Sequence, residues 1–144
     1  DARYLITFDA DGQHSVADAV AMVAAARREN LAIVLGSRFL KGPSPVGRLK
    51  RLVLATAAVV ASRTTGMHLT DAHNGLRLLR RDAAEHLNLR QNRMAHASEI
   101  IRQLGATGLP WREFPVHIAY TEYSKAKGQS LLNSVNILVD LIFS

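Results

Sequence analysis

The first half of the chain combines continuous apolar runs with apolar positions at helical spacing. Tyr4 to Phe8 and Leu31 to Leu35 lack polar alternation, which is typical of strands buried on both faces of a largely parallel sheet. Between them Ser15 and Asp18 resemble a capping box at the start of a helix that runs to about Arg28. Its apolar stripe consists of Val16, Val20, Val23 and Ala24. Strand, helix and strand in this order predict a right-handed parallel crossover.

The second half of the chain continues with helices and shorter strands. Arg48 to Gly66 reads as a helix that is apolar along most of its surface, which favours packing on the body of the protein. A membrane-facing patch beside its first basic residues stays open as an alternative. The other predicted elements are a loop at 41–47, a strand at 76–79, a helix from Asp82 to Leu87, a helix at 96–106, a half-exposed strand at 109–120 and an amphipathic helix at 131–143.

The composition narrows the class of protein. With 144 residues and 48% hydrophobic side chains, the chain is expected to form one globular domain. The absence of cysteine excludes disulfides and thiolate chemistry, and fits a reducing compartment such as the cytoplasm. We expect neither a membrane-spanning helix nor a signal peptide, because no apolar run is long enough and the N-terminus has no charged leader.

The net charge of +6 is unevenly distributed. No Asp or Glu occurs between Asn30 and Thr70, whereas basic residues are frequent there. They are Arg38, Lys41, Arg48, Lys50, Arg51 and Arg63. Such a surface attracts the phosphate of a nucleotide or a lipid, and a merely soluble basic face is the alternative. No nucleic-acid partner is expected, because no RNA- or DNA-binding signature accompanies the charge.

Polar residues follow the first apolar run directly. Asp9 and Asp11 are two residues apart at the predicted carboxyl end of a strand, where sheets of this kind place ligand sites. Two carboxylates there can hold a hard cation such as Mg²⁺ or Mn²⁺, while Gly12 lets the chain turn. Asp and Gly are also common in ordinary turns, so a turn without a ligand remains open. Arg38 follows the second run and is expected at the same sheet edge, facing an anion.

Further candidate residues lie in the second half. Asp71 precedes a predicted turn at Asn74 and Gly75, where a carboxylate is either a turn former or a general base. His73 is expected to be an exposed loop residue. Glu99 is either a solvated surface acid or points into a cleft. In the polar segment 120–130, two lysines could grip a diphosphate as part of a closing lid, with a solvated loop as the alternative.

Four segments together resemble family 2 glycosyltransferases of the GT-A fold, nearest to polyprenyl-phosphate mannosyl- and glucosyltransferases. They are FDADGQH at 8–14, GSRF at 36–39, DAHNGLRLLRR at 71–81 and YSKAKGQS at 123–130. The resemblance spans the whole chain but only the latter two-thirds of such a catalytic domain, whose leading elements are expected upstream of Asp1. It implies an α/β, Rossmann-like, mostly parallel sheet flanked by helices. Residues 1–130 would be part of the catalytic domain, and 131–144 a helix packed on it or on a membrane surface.

The resemblance also implies roles for individual residues. A divalent metal, Mg²⁺ or Mn²⁺, would be held by Asp9, Asp11 and Gln13. Asp71 would be the first candidate for the catalytic base, and Glu99 the second. Substrate would be bound by Arg38, Asn74, Gly75, Arg77, Lys125, Lys127 and Ser130. Asn74 stands where many relatives have serine, which leaves the sugar preference open.

The implied reaction is inverting transfer of a sugar from a nucleoside diphosphate to a polyprenyl phosphate or a glycan hydroxyl. A hydroxyl acceptor needs a base, whereas a lipid phosphate is already anionic and would leave Asp71 a positioning role. The enzyme would be cytoplasmic, with peripheral contact to the membrane. A haloacid-dehalogenase-like phosphatase is a weaker alternative, because no threonine follows Gly12 and no later acidic pair is present. The second alternative is a non-catalytic phosphate-binding module.

Overall fold

The chain forms one mixed sheet with helices packed on it. The structure, a computed structural model, describes residues 2–9, 12–41, 46–90 and 94–119. The strands within these ranges are β1 (Tyr4–Thr7), β2 (Ile33–Ser37), β3 (Arg77–Arg80) and β4 (Trp111–Pro115). The helices are α1 (Val16–Glu29), α2 (Arg48–Thr65), α3 (Arg81–Glu85) and α4 (Met94–Ala106). The α/β class expected from the sequence is therefore confirmed.

The strand order is β1-β3-β2-β4. β3 is antiparallel to both of its neighbours, whereas β2 and β4 are parallel. β1, β2 and β4 therefore run in one direction with β3 reversed between them, so the described sheet is mixed rather than largely parallel in its pairing. Arg77 at the start of β3 pairs with Thr7 on one side and Leu35 on the other. The carboxyl ends of β1 and β2 thus meet the amino end of β3 at one edge of the sheet.

The prediction that the first strand is buried on both faces was wrong for the described residues. β1 pairs only with β3 there, and Leu5, Ile6 and Phe8 are exposed. β2, by contrast, lies between two strands and is buried along its whole length. A continuous apolar run identifies a strand in both cases, but it does not distinguish an edge position from a central one.

The first helix is confirmed, but of its predicted apolar stripe only Val23 packs against the core. Ser15 caps it as expected, because the Ser15 hydroxyl accepts from the Asp18 backbone N–H at 3.3 Å. The helix ends at Asn30 in a left-handed conformation. Val16 and Val20 point outward. The buried side chains are instead Ala19, Met22, Ala25 and Ala26. These small residues and the methionine pack against the sheet, since alanine lets the helix approach closely.

The second half of the fold follows the prediction with shifted ends. α2 ends at Gly66, which has φ of 73° as expected of a left-handed cap. α3 is shorter than predicted, and Arg80 rather than Asp82 occupies its N-cap position. Asp82 lies inside the first turn, where its carboxylate accepts from the Ala83 N–H at 3.0 Å. Trp111 packs against the main apolar cluster, as expected.

Gly105 allows α4 to approach the end of α2. A Cβ at this position would lie 2.9 Å from the Thr65 carbonyl oxygen and 3.0 Å from the Thr65 Cβ, both too close without a shift of backbone. We therefore expect Gly105→Ala to destabilise the fold by about 1–3 kcal/mol despite alanine's better helix propensity. Urea unfolding measures this. Gly47→Ala, where a Cβ meets no atom of the described residues within 4 Å, is the control, and equal stability of the two variants would contradict the close packing.

Several predicted features lie wholly or partly outside the described residues. They are Asp11, most of the loop at 41–47, the segment 120–130 with Lys125, Lys127 and Ser130, and the helix at 131–143. In the described ranges, none of the helices is both long enough and apolar enough to span a bilayer.

Candidate active site

The acidic segment after β1 lies directly against the turn that precedes β3. The Thr7 hydroxyl donates to the Gly75 carbonyl oxygen at 2.6 Å. A Cβ on Gly75 would overlap the carboxylate of Asp9, so the side chain of Asp9 occupies the space that glycine leaves. The registration of β1 with β3 produces this contact, since Thr7 is paired with Arg77. Two segments some 65 residues apart in sequence thus form one surface.

Asp9 has the exposure expected of a ligand-binding carboxylate. Its side chain is 62% exposed, and His14 Nε2 donates to its Oδ2 at 3.0 Å. The His14 side chain is 3% exposed and packs edge-on against Phe8. His14 was not predicted as a site residue. Its position five residues after Asp9, within the same motif, was the available signal.

A hard cation suits the chemistry of this segment. An exposed carboxylate oxygen at a sheet edge is the kind of ligand that Mg²⁺ and Mn²⁺ prefer. Gln13 lies in the described part of the same turn, and its backbone carbonyl accepts from the Ala119 N–H at 3.0 Å. Asp11 is outside the described residues, and within them no group of three or more His, Cys, Asp or Glu side chains could hold a metal. Asp9 therefore fits as one ligand of a metal site.

Arg38 and Asp71 form the strongest polar contact at this edge. Arg38 Nε donates to Asp71 Oδ2 at 2.8 Å, and Arg38 Nη2 donates to Asp71 Oδ1 at 2.9 Å. The backbone N–H of Arg38 adds a third bond to Oδ2 at 3.1 Å. The Asp71 side chain is 1% exposed, so this is a buried, bidentate ion pair. Both carboxylate oxygens of Asp71 are engaged by one residue.

The pKa of Asp71 follows from these contacts. Burial by itself raises the pKa of this carboxyl, but the hydrogen bonds and the charge of Arg38 outweigh burial, and the pKa lies below its usual value. A carboxylate with a lowered pKa and two occupied oxygens is a poor acceptor for a substrate proton. Asp71 was predicted to be either a turn former or a base. The structure adds a third role, which is to hold Arg38.

The turn before β3 carries the remaining candidates. Asn74 is buried, and its Oδ1 accepts from the Leu76 N–H at 3.0 Å, which shapes the turn around Gly75. Arg77 is also buried. Burial lowers the pKa of Arg77, while the carboxylates of Asp9 and Asp71 act to raise it, so the guanidinium lies within electrostatic reach of both acids.

His73 is not the exposed loop residue that was expected. Both ring nitrogens are buried and have no hydrogen-bond partner among the described residues. Burial lowers the pKa of His73, and the charges of Arg77 and Arg38 lower it further against the opposing effect of Asp71. The ring is therefore neutral near pH 7. His73 directly precedes the turn that Asn74 shapes, and the polar composition of this loop did not indicate that its ring would be buried.

Glu113 on β4 is a site-supporting residue that sequence reasoning missed. Its Oε1 accepts from the backbone N–H groups of Thr70 at 2.8 Å and Asp71 at 3.2 Å, and its Oε2 accepts from the Thr70 hydroxyl at 2.8 Å. Ser37 Oγ lies 2.6 Å from the same hydroxyl. Burial raises the pKa of Glu113, against the hydrogen bonds from Thr70. Glu113 thus fixes the backbone that presents Asp71 to Arg38.

We expect Glu113→Ala to lower the free energy of unfolding by about 1–3 kcal/mol, because two backbone N–H groups lose their acceptor and the bond to that of Asp71 is part-buried. Glu113→Gln keeps a side-chain oxygen and should retain most of the stability. Urea unfolding of both variants measures the difference. Glu85→Ala, at an exposed position of α3, is the control and should change stability by less than about 0.5 kcal/mol. Equal losses in the alanine and glutamine variants would argue against the acceptor role.

Glu99, the second candidate base, is buried on α4 away from these contacts. Its carboxylate accepts from the Arg90 N–H at 3.1 and 3.2 Å and from the Gln103 side chain at 3.3 Å. Among the described residues, none of its hydrogen bonds reaches Asp9, Arg38 or Asp71. The contacts of Glu99 support the loop that precedes α4, and its catalytic role stays a prediction.

A separate cavity of about 430 Å³ lies at the opposite end of the sheet, beside the start of β1 and α3. Two of the three arginines that line it are already engaged, because Arg80 pairs with Asp82 and Arg81 donates to the Ala2 carbonyl oxygen. This cavity does not include any of the predicted site residues. The carboxyl edge of the sheet remains the candidate active site.

Comparison with known proteins supports a glycosyltransferase resemblance. No family model matches the chain. A protein of Methanococcus voltae named UDP-N-acetylglucosamine–dolichyl-phosphate N-acetylglucosaminyltransferase is 29% identical, over 98% of this chain and 58% of the relative. This chain is a relative of a glycosyltransferase. An uncharacterized protein of Methanocaldococcus jannaschii is 32% identical, over 97% of this chain and 59% of the relative. The chain spans just under three-fifths of the length of these relatives.

Proposed function

We propose that this chain is part of the catalytic domain of a family 2, GT-A-type glycosyltransferase. It would transfer a sugar, with inversion, from a nucleoside diphosphate to a lipid phosphate. The observation that carries the proposal is the meeting of three sequence motifs at one sheet edge. Asp9 lies against Gly75, Arg38 pairs with Asp71, and Arg77 is within electrostatic reach of both acids. One relative is named as an N-acetylglucosaminyltransferase that uses dolichyl phosphate, and this name supports the choice of a lipid phosphate as acceptor.

The donor side of the site would be built around Asp9, with Asp11 and Gln13 as further ligands of Mg²⁺ or Mn²⁺. Such an ion, when bound, neutralises charge on the departing diphosphate and so lowers the barrier to transfer. The chain's own contribution is to hold Asp9 in place, through the His14 hydrogen bond and the space left by Gly75. Lys125, Lys127 and Ser130 would bind the diphosphate from the closing segment.

The choice of a phosphate acceptor rests on Asp71. Because both Asp71 oxygens accept from Arg38, and because the pKa of Asp71 is lowered, this side chain is suited to positioning an arginine rather than to removing a proton. A lipid phosphate needs no base, since its oxygen is already anionic near neutral pH. Arg38, with Arg77 nearby, would orient it. A glycan hydroxyl as acceptor would need a base, and Asp71 could serve as that base only after leaving Arg38.

A transfer assay tests the proposal. The protein is incubated with radiolabelled UDP-, GDP- and dTDP-sugars, with Mg²⁺, Mn²⁺ or EDTA, and with polyprenyl phosphate or a glycan as acceptor. We expect labelled polyprenyl-phosphate sugar that requires both the metal and Asp9. Donor binding without transfer would indicate a phosphate-binding module, and label on the glycan alone would overturn the choice of acceptor. Release of inorganic phosphate from phosphomonoesters would instead support the phosphatase alternative.

A further inference from the structure

We propose that Asp18 is a positioning residue for the candidate metal site. It acts through residues 116–119, the segment that directly follows β4, which we call the strap. The strap joins the turn that contains Gln13 and His14 to the end of β2. The inference deepens the proposed function and rests on it, because it assigns a means of holding Gln13 and Asp9 in place. Asp18 itself contacts neither the metal nor the substrate.

The strap begins at the half of the site that contains Arg38. Pro115, the last residue of β4, is paired with Ser37 at the end of β2. The Val116 N–H then donates to the Ser37 carbonyl oxygen at 3.0 Å, and the Val116 side chain is buried. Ser37 directly precedes Arg38, which pairs with Asp71. The first residue of the strap is therefore fixed next to the Arg38–Asp71 ion pair.

The other end of the strap lies against the turn before α1. Ile118 and His14 form an antiparallel bridge, and the Ala119 N–H donates to the Gln13 carbonyl oxygen at 3.0 Å. His14 Nε2 in turn donates to Asp9 Oδ2 at 3.0 Å. Two of the proposed metal ligands are thus connected to the strap, Gln13 directly and Asp9 through His14.

Asp18 holds the middle of the strap. Its Oδ2 accepts from the His117 backbone N–H at 2.7 Å, a short hydrogen bond to a charged acceptor. The Nδ1 atom of the His117 ring lies farther away, 3.6 Å from Oδ1, on a side chain that is 81% exposed. In a capping box, the acid in the first turn accepts from the N-cap N–H, here that of Ser15. The Asp18 carboxylate faces the strap instead, so its role goes beyond starting the helix.

The far end of α1 provides a matched comparison. There the Glu29 carboxylate accepts with both oxygens from Arg112 on β4, each at 2.8 Å. Glu29 and Asp18 are eleven residues apart, which corresponds to about 16 Å along the helix. Both carboxylates therefore join α1 to β4 or its continuation, but only Asp18 does so beside Gln13. A general effect on stability is expected from both, whereas an effect on metal binding is expected from Asp18 alone.

Isothermal titration of the full chain with Mn²⁺ tests the proposal. Asp18→Ala should weaken Mn²⁺ binding by about tenfold or more, as is usual when a residue that orients metal ligands is lost. Asp18→Asn removes the same charge but keeps an oxygen that can accept from the strap, so it should retain most of the affinity. In the transfer assay, Asp18→Ala should need correspondingly more Mn²⁺ for half-maximal activity. Saturating Mn²⁺ should restore most of its rate.

Two control variants should keep the parental Mn²⁺ affinity. Glu29→Ala removes the carboxylate contact at the far end of α1, and His117→Ala keeps the backbone N–H that Asp18 accepts. Amide hydrogen exchange, followed by NMR, reports on the strap directly. The Ala119 N–H should exchange about tenfold faster or more in Asp18→Ala and at the parental rate in Glu29→Ala. Alanine favours the helix, so the fold should be retained, which circular dichroism verifies.

Three results would overturn the positioning role: parental Mn²⁺ affinity in Asp18→Ala, equal losses in the alanine and asparagine variants, or an equal loss in Glu29→Ala. The proposed function fails separately. If the unchanged chain binds Mn²⁺ with the expected dependence on Asp18 but transfers no sugar, the transferase proposal fails and the positioning role stands. If metal-dependent transfer proceeds and Asp18→Ala behaves as the parent, only the positioning role fails. Absence of Mn²⁺ binding by the unchanged chain would overturn both.

Discussion

Replacing Arg38 with alanine should lower the stability of the fold by about 3–5 kcal/mol, because the buried carboxylate of Asp71 loses its only bidentate partner in the described residues. Sugar transfer should fall by about a hundredfold or more, since a preorganised cation near the transferred group is lost. Urea unfolding and the transfer assay measure the two effects. The large loss of stability means that activity must be compared at a temperature at which the variant is folded.

A double variant separates the structural role of Arg38 from its functional role. Arg38→Ala combined with Asp71→Asn removes both charges, so the penalty of an unpaired buried carboxylate disappears. We expect most of the stability to return, while transfer stays low because the phosphate-orienting cation is still absent. If activity returned together with stability, Arg38 would serve the fold alone. If neither returned, the ion pair would not be the cause of the first loss.

The same pair gives a pH dependence with a defined sign. The folded-state pKa of Asp71 is lowered below its usual value of 3.8, so its contribution to stability is present above that value and is lost as pH falls through the folded pKa. In Arg38→Ala the side-chain hydrogen bonds and the charge of Arg38 are lost. Burial, the largest influence, remains and raises the pKa of Asp71, and we expect it to outweigh the weaker hydrogen bonds from the backbone N–H of residue 38 and from Asn74. The sign therefore reverses, and acidification toward the usual pKa should stabilise this variant. Unfolding free energies measured across mildly acidic pH check the reversal, and Asp71→Asn is the control without this titration.

Local sequence patterns predicted where strands and helices lie in the chain better than they predicted which strands pair with each other. The N-cap at Ser15, the left-handed end at Gly66 and the turn at Asn74 each depend on residues close in sequence, and each is confirmed. The reciprocal bond of a capping box is not formed by the Asp18 carboxylate, which accepts from the His117 N–H instead. The exposure of β1 within the described part of the chain depends on which strands pair with it, and its pairing with β3 involves residues some 70 positions away. No periodicity within Tyr4 to Phe8 carries that information.

In the candidate site, too, some features follow from local sequence and others depend on contacts between distant residues. The sequence pattern predicted that Asp9 and Arg38 share one sheet edge, and the described residues place them there. The resemblance implied that the turn before β3 binds substrate, and the structure brings that turn to the same edge. The motifs did not predict that Arg38 would occupy both oxygens of Asp71, because a carboxylate's partner is set by three-dimensional packing. Glu113 was missed for a related reason. An acid in an alternating strand reads as outward-facing, whereas the parallel register of β4 with β2 turns it toward Thr70 and Asp71.

Asp9→Asn should reduce metal-dependent transfer by about a thousandfold while leaving the unfolding free energy within about 0.5 kcal/mol of the parent. Asparagine keeps the shape and the hydrogen-bonding oxygen but removes the charge that a divalent ion requires. Stability should hold because the side chain is 62% exposed. Isothermal titration with Mn²⁺ measures the loss of metal affinity directly, and a fully retained affinity would remove Asp9 from the metal site.

Gly75→Ala tests the position of the Asp9 carboxylate without changing its charge. The added methyl group would overlap the end of the Asp9 side chain, which is exposed and can rotate away. Metal affinity and transfer should therefore fall by about tenfold or more, through a misplaced ligand, with a small change in stability. Gly47→Ala adds the same group at a position where, in the part of the chain that the structure describes, no atom lies within 4 Å, and it should change neither property. A Gly75→Ala variant with parental Mn²⁺ affinity would show that metal binding does not need the contact between Asp9 and this turn. That contact would then no longer support the proposed donor site.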